Sequence, residues 1–120
     1  MKNLTPAEYL ANKASYHLVD VRSDMEWESV HEKEAIHVPL TDLIDRASSL
    51  PKDKPLVFTC RSGGRSSRAC QMLEGSGLET FNLAGGMHAL VLAKYEKGLI
   101  SKEECEKMLE KISSPSRLLQ

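Results

Sequence analysis

No run of about 18 apolar residues occurs anywhere in the 120-residue sequence, so nothing in it reads as a membrane-spanning helix. An excess of one charge is missing as well. Sixteen Lys and Arg stand against 17 Asp and Glu, a net charge of −1, which gives no support for nucleic-acid or anionic-membrane partners. Cysteines are only three, Cys60, Cys70 and Cys105, with no Cys-x-x-Cys pair and no paired histidine spacing. An odd, scattered set argues against a disulfide framework and a zinc site, and no metal or cofactor is expected. The opening Met1-Lys2-Asn3-Leu4-Thr5-Pro6 lacks the apolar core of a secretion signal. A cytoplasmic, reducing location is therefore expected, and it suits a reactive thiol. With 41% apolar and 28% charged residues, the composition is that of one soluble domain with a single core.

What is present concentrates in Cys60-Arg61-Ser62-Gly63-Gly64-Arg65-Ser66. The preceding Leu56-Val57-Phe58-Thr59 is apolar and β-branched, as a strand requires, and Ser67 to Leu73 reads as a helix. Two adjacent glycines let the loop take φ > 0 and turn its N–H groups inward, making a concave nest of donors at a helix N-terminus. An anion is favoured at the centre of such a cup. Cys60 is the nucleophile facing it, and the nest, the helix dipole and Arg61, Arg65 and Arg68 all favour its thiolate. Between Cys60 and Leu73 there are three arginines and no acid, so the local field is positive on a nearly neutral chain.

Strands and helices alternate through the rest of the chain. Thr5-Pro6-Ala7-Glu8 is a capping box opening a short helix to about Asn12. Tyr16 to Val21 has the near-continuous apolar centre of a strand buried on both faces. Ser23 or Asp24 caps a single helical turn carrying Met25, Glu26 and Trp27, and residues 29–34 read as loop. Ala35 to Val38 is a second short strand. A helix from Thr41 or Asp42 places Leu43, Ile44, Ala47 and Leu50 at helical spacing, and Pro51 to Pro55 ends it. After the central loop, Ala69, Cys70 and Leu73 are expected in the core. Thr80 to Leu83 is the next strand, and Ala84-Gly85-Gly86 turns into a helix from Met87 to Lys97. Ser101-Lys102-Glu103-Glu104 opens a last helix whose Cys105, Met108, Leu109 and Ile112 form an apolar stripe, expected to pack on its own domain. The pattern is an α/β sandwich with a mostly parallel sheet, and in such sheets ligands bind at the carboxyl ends of strands, where Cys60 lies.

Several segments together resemble the single-domain rhodanese or sulfurtransferase family. Asp20-Val21-Arg22, Glu26-Trp27, His31, Ala35 and Val38-Pro39 are similar to its first motif. Val57 through Ser66, continuing through Ala69, Leu73 and Gly77, is similar to its active-site motif, and Asn82-Leu83-Ala84-Gly85-Gly86-Met87 to its third. The resemblance spans about residues 4 to 98. It implies a rhodanese-like three-layer sandwich with a central mostly parallel sheet of about five strands flanked by helices. The domain is then 1–100, with an extra C-terminal helix at 101–112 and a tail at 113–120.

For function, the resemblance implies a thiosulfate sulfurtransferase type of enzyme. Cys60 takes sulfane sulfur from thiosulfate or a persulfide donor and holds it as a persulfide until a thiol or cyanide acceptor removes it. Cys60 is then catalytic, and Arg61, Ser62, Gly63, Gly64, Arg65 and Ser66 bind the small anionic donor, with Ser66 expected as a helix cap. Arg68 either assists or lines a solvated helix face. An Arg22–Glu26 ion pair closing the turn after the first strand is expected, and Glu32, Lys33 and Glu34 read as a solvated face or a docking surface. A protein-to-protein sulfur-relay or binding module with a protein sulfur acceptor is the second reading. A cysteine phosphatase or arsenate reductase is the third, and loop length counts against it: four residues separate Cys60 from Arg65, one fewer than in the phosphatase signature.

Overall fold

A computed structural model describes residues 1–115. Its sheet has five parallel strands: β1 (Lys2–Leu4), β2 (His17–Asp20), β3 (Ile36–His37), β4 (Leu56–Thr59) and β5 (Thr80–Leu83), in the order β1-β5-β4-β2-β3. All four residues of β4, the central strand, are buried, as expected for a strand covered on both faces. Among the described residues six α-helices connect and flank the sheet: α1 (Pro6–Ala11), α2 (Asp24–Ser29), α3 (Leu43–Arg46), α4 (Gly64–Met72), α5 (Gly86–Glu96) and α6 (Lys102–Ser113). Side chains alternate across each strand, so Leu56, Phe58 and Cys60 join one core with Leu43, Ala69, Cys70 and Leu73 under α3 and α4. Val57, Leu18 and Leu83 join the other, with Tyr9, Met87, Leu90 and Val91 under α1 and α5. Because β4 is central, the residue after its last position emerges in the middle of the sheet's carboxyl edge.

The capping boxes expected at Thr5 and Ser101 are both formed, and so is one at Ser23 with Glu26. The stripe of α6 packs on its own domain: Cys105 and Ile112 are buried, and Met108 and Leu109 lie against the same cluster as Leu90 and Val91. Full burial of each such side chain contributes about 1.5–3 kcal/mol. No helix among the described residues is long and apolar enough to cross a membrane. Residues 116–120 of the expected tail lie outside the described residues, and Ser113 closes α6.

Four local expectations are corrected. β1 was not expected: Lys2-Asn3-Leu4 carries one buried apolar residue, and it is a strand because its backbone completes the sheet beside β5. α4 begins at Gly64, three residues earlier than its side-chain periodicity places it, because Gly63 takes φ +118° and turns the chain directly into the helix. The helix after Pro39 is broken into 3-10 and α turns over 40–49, so Ile44 stands 60% exposed while Leu43 is buried. Arg22 does not pair with Glu26. It is buried against Asp20, with Nε 3.0 and 3.1 Å and Nη2 2.8 Å from the carboxylate oxygens, while Glu26 points elsewhere.

The acidic segment is a solvated face only in part: Lys33 and Glu34 are exposed, and Glu32 is not. Glu32 is buried and accepts from Lys94 Nζ at 2.9 and 3.2 Å, and Glu34 pairs with Lys13 and the Tyr9 hydroxyl. Two long-range pairs thereby fasten residues 30–35 to α5 and to the segment after α1. The lone aromatic of this region, Trp27, is stacked between the rings of His31, at 3.6 Å, and His37, at 4.6 Å.

Candidate active site

Cys60 follows β4 directly, and the chain then needs only residues 61–63 to reach α4. The left-handed Gly63 places the free N–H groups of the helix's first turn around the preceding thiol. Sγ accepts from Gly63 N at 3.1 Å and Ser66 N at 3.4 Å, and lies 3.4 Å from Ser66 Oγ. Burial works against ionisation of this thiol. The Ser66 hydroxyl and the N–H groups of Ser66, Gly63 and Ser62 outweigh it and hold the Cys60 pKa below its ordinary value. The cysteine itself is only 2% exposed, and it opens into a shallow cavity of about 270 Å³ lined also by Arg61, Ser62, Gly64 and Arg65.

These donors make a titration prediction. The pH profile of Cys60 alkylation by iodoacetamide should have its midpoint below the ~8.5 of a free cysteine, and Ser66→Ala should move that midpoint upward. A midpoint that stays put in the variant would remove Ser66 from the machinery that ionises the thiol.

Ser66 is not the helix cap. Gly63 holds that position, and Ser66 lies in the first turn, where its hydroxyl reaches Gly63 O at 3.2 Å and Asn82 Oδ1 at 2.5 Å. Asn82 in turn donates from Nδ2 to Asn3 Oδ1 at 3.1 Å. Strands β5 and β1 thus steady the serine that touches the sulfur. Asn82 belongs to the third motif, but nothing local in the sequence announces that its side chain crosses to α4.

The loop is also held from behind. The N-terminus of α5 donates from Met87 N to Cys60 O at 2.8 Å and from His88 N to Arg61 O at 3.1 Å, so the carbonyls point away from the sulfur and the N–H groups toward it. This docking needs Gly86. A Cβ there would stand 2.5 Å from Cys60 O and 2.8 Å from Arg61 C and O, at φ +60°. Gly86→Ala should therefore lose about 2–3 kcal/mol of stability in thermal melts and displace the loop. Gly64→Ala, where nothing lies within 4 Å and φ is ordinary, should melt close to wild type; equal losses would contradict this account.

Of the cations, Arg61 and Arg68 are exposed. Arg65 is engaged: Nη1 and Nη2 donate to Glu26 Oε1 and Oε2 at 2.6 and 2.8 Å. The Arg65 guanidinium holds the Glu26 carboxyl down to about 2, and Glu26 raises Arg65 further in return. Glu26 reaches this position because the Ser23 capping box fixes α2 at the end of β2, beside Cys60. Every candidate site residue is thus gathered at one sheet edge, and Glu26, Asn82 and Gly86 are added to them.

The Rhodanese-like domain family model matches residues 5–93. Among curated relatives, YtwF of Bacillus subtilis (strain 168) is 41% identical over 73 residues, covering 61% of this chain and 71% of its own. A protein of Allochromatium vinosum named "Sulfurtransferase" is 36% identical over 84 residues, covering 69% and 78%. Among solved structures, a rhodanese-related protein from Thermoplasma volcanium is similar at a TM-score of 0.74 and 25% identity, over 78% of this chain and 93% of that one. α6 lies beyond the matched residues.

Proposed function

The chain belongs to the rhodanese-like domain family, and from that premise we propose that it is a sulfurtransferase working through a persulfide on Cys60. One observation carries the reading: a thiol held below its ordinary pKa by first-turn N–H groups. That arrangement serves a nucleophile that must be anionic before the reaction and again after it.

The steps balance without a general base. The Cys60 thiolate attacks the outer sulfur of thiosulfate; the S–S bond of the donor breaks, and its electron pair leaves on sulfite. The product Cys60 persulfide carries its charge on the terminal sulfur, one bond further into the cavity, where the N–H groups of Gly63 and Ser66 still face it. Cyanide or a thiolate then attacks that terminal sulfur and restores the Cys60 thiolate. With a small-molecule persulfide as donor, the leaving group is a thiolate instead of sulfite. Arg61 and Arg65 are the residues proposed to meet the anionic donor, and Ser62, Gly63, Gly64 and Ser66 to form the cup.

A phosphatase reading has less support. The four-residue interval between Cys60 and Arg65 makes a smaller cup than a tetrahedral phosphate needs, and no carboxylic acid faces Cys60 Sγ among the described residues to protonate a leaving group. Relay between proteins remains compatible with the same chemistry, the acceptor thiol then belonging to a protein.

The deciding experiment assays the purified chain with thiosulfate and with a small-thiol persulfide, cyanide as acceptor, alongside an aryl phosphate. Thiocyanate should form with sulfur donors and aryl phosphate should be left intact. Phosphate release without thiocyanate would overturn the assignment.

A further inference from the structure

Resting on that reading, we infer that Glu26 sets the donor preference of the site: by closing Arg65 into an ion pair, it biases Cys60 toward persulfides of low negative charge over dianionic thiosulfate.

The loop and α4 carry three arginines and no acid, which by itself describes a site built for a strongly negative donor. The fold brings in an acid from elsewhere. Glu26 lies on α2, 39 residues before Arg65, and both of its oxygens accept from the same guanidinium. Its carboxylate is largely covered, with 14% of the side chain exposed, while 39% of the Arg65 side chain is exposed. The pair therefore brings a net charge of zero to the cavity wall.

Position makes this consequential. Arg65 lines the cavity containing Cys60 and also a second one of about 200 Å³, lined by Val21, Ser23, Pro39, Leu40 and Thr41. It is the side chain common to both, and Glu26 fixes where its charged end lies. Two of its five N–H groups are spent on Glu26, which leaves three for a ligand. A dianionic donor approaching a thiolate brings two negative charges to one, and beside them Glu26 is a third source of repulsion. A persulfide of an uncharged alkyl thiol brings at most one charge, so the same carboxylate opposes it less. The carboxylate therefore opposes a dianion more than a monoanion, and release of the guanidinium in its absence adds to that difference.

Glu26 is thus a positioning residue acting through Arg65. A purely structural role is the competing account, since Glu26 also accepts from Ser23 N at 3.1 Å and Ser23 Oγ at 3.0 Å in the capping box. Glu26→Gln separates the two. Glutamine serves at this position of a capping box, keeps the volume and removes only the charge, turning an amide N–H toward Arg65 where a carboxylate oxygen stood.

Two measurements test the inference. The first compares kcat/KM for thiosulfate and for an alkyl persulfide, cyanide as acceptor, in wild type and Glu26→Gln. The ratio of thiosulfate to persulfide use should rise about tenfold in the variant; an unchanged ratio, whatever the absolute rates, would overturn the proposal and leave Glu26 only its place in the Ser23 capping box. The second is calorimetric titration of thiosulfate into Cys60→Ser protein with and without Glu26→Gln, where no chemistry intervenes. Kd should fall at least fivefold in the double variant, and equal Kd values would equally overturn the proposal. If wild type transfers sulfur from neither donor, the sulfurtransferase reading fails on its own, while the calorimetric arm still decides what Glu26 does to anion affinity.

Discussion

Cys60→Ser protein is expected to gain no sulfur on exposure to thiosulfate or a small-thiol persulfide, while wild type gains one sulfur atom that cyanide removes. The loss should exceed about a thousandfold in turnover, because the hydroxyl that replaces the thiol has nothing to ionise it. The groups around Sγ are Gly63 N, Ser66 N and Ser66 Oγ; no histidine or carboxylate is within hydrogen-bond distance among the described residues. The nest that suffices for a thiol already held below its ordinary pKa cannot do the same for an alcohol. Stability should change little, since an oxygen at this position still accepts from the same two N–H groups.

Intact-mass and peptide-level spectrometry check the site as well as the amount. Cys70 and Cys105 are the internal controls. Both are buried in the core, and burial raises the Cys70 thiol above its ordinary value. Sulfur retained in Cys60→Ser on either of them would refute Cys60 as the carrier.

How far this site was legible in the sequence follows from the range of its interactions. The strand, glycine turn and helix at 56–72 depend on neighbours in the chain, and there the composition of Leu56 to Thr59 and the adjacent Gly63 and Gly64 carry the information. The start of α4 lies outside what side-chain periodicity can show, because it rests on a backbone angle at Gly63 and not on an apolar period. The Arg22–Glu26 pairing fails for a different reason. A pairing of Arg22 with Glu26 is local and reasonable for an isolated turn, but Asp20 ends a strand beside β4, and Arg22 folds back on it out of water. Glu26 is then left facing a helix that comes 39 residues later. The same limit hid Asn82, whose side chain joins α4 to β1, and the need for Gly86 to leave room for Cys60 O. β1 escaped because an edge strand of three residues is held by its backbone pairing, which side-chain pattern does not record.

The buried pair behind the loop gives the largest expected effect on stability. Arg22 and Asp20 are both fully buried, and Arg22 Nη2 also donates to Val30 O at 2.7 Å. Arg22→Met keeps much of the volume but leaves Asp20 with the Arg22 backbone N–H, at 3.0 Å, as its remaining donor among these contacts. Removing one member of a buried pair costs about 3–5 kcal/mol, because the other charge stays behind in a low-dielectric interior. Set against a net stability of about 5–15 kcal/mol, that should lower the melting temperature by about 10–20 °C. The loss should reach the site as well, since the backbone between these two residues is bonded to β4 through Val21 N and Thr59 O at 3.0 Å, one residue before Cys60. The double variant Asp20→Asn with Arg22→Met separates charge from packing. If an unpaired carboxylate is the cause, the second substitution should recover most of the lost stability. A double variant that melts as low as Arg22→Met alone would assign the cost to the lost bond to Val30 O and to packing around the guanidinium, whose Nη1 has no partner among the described residues.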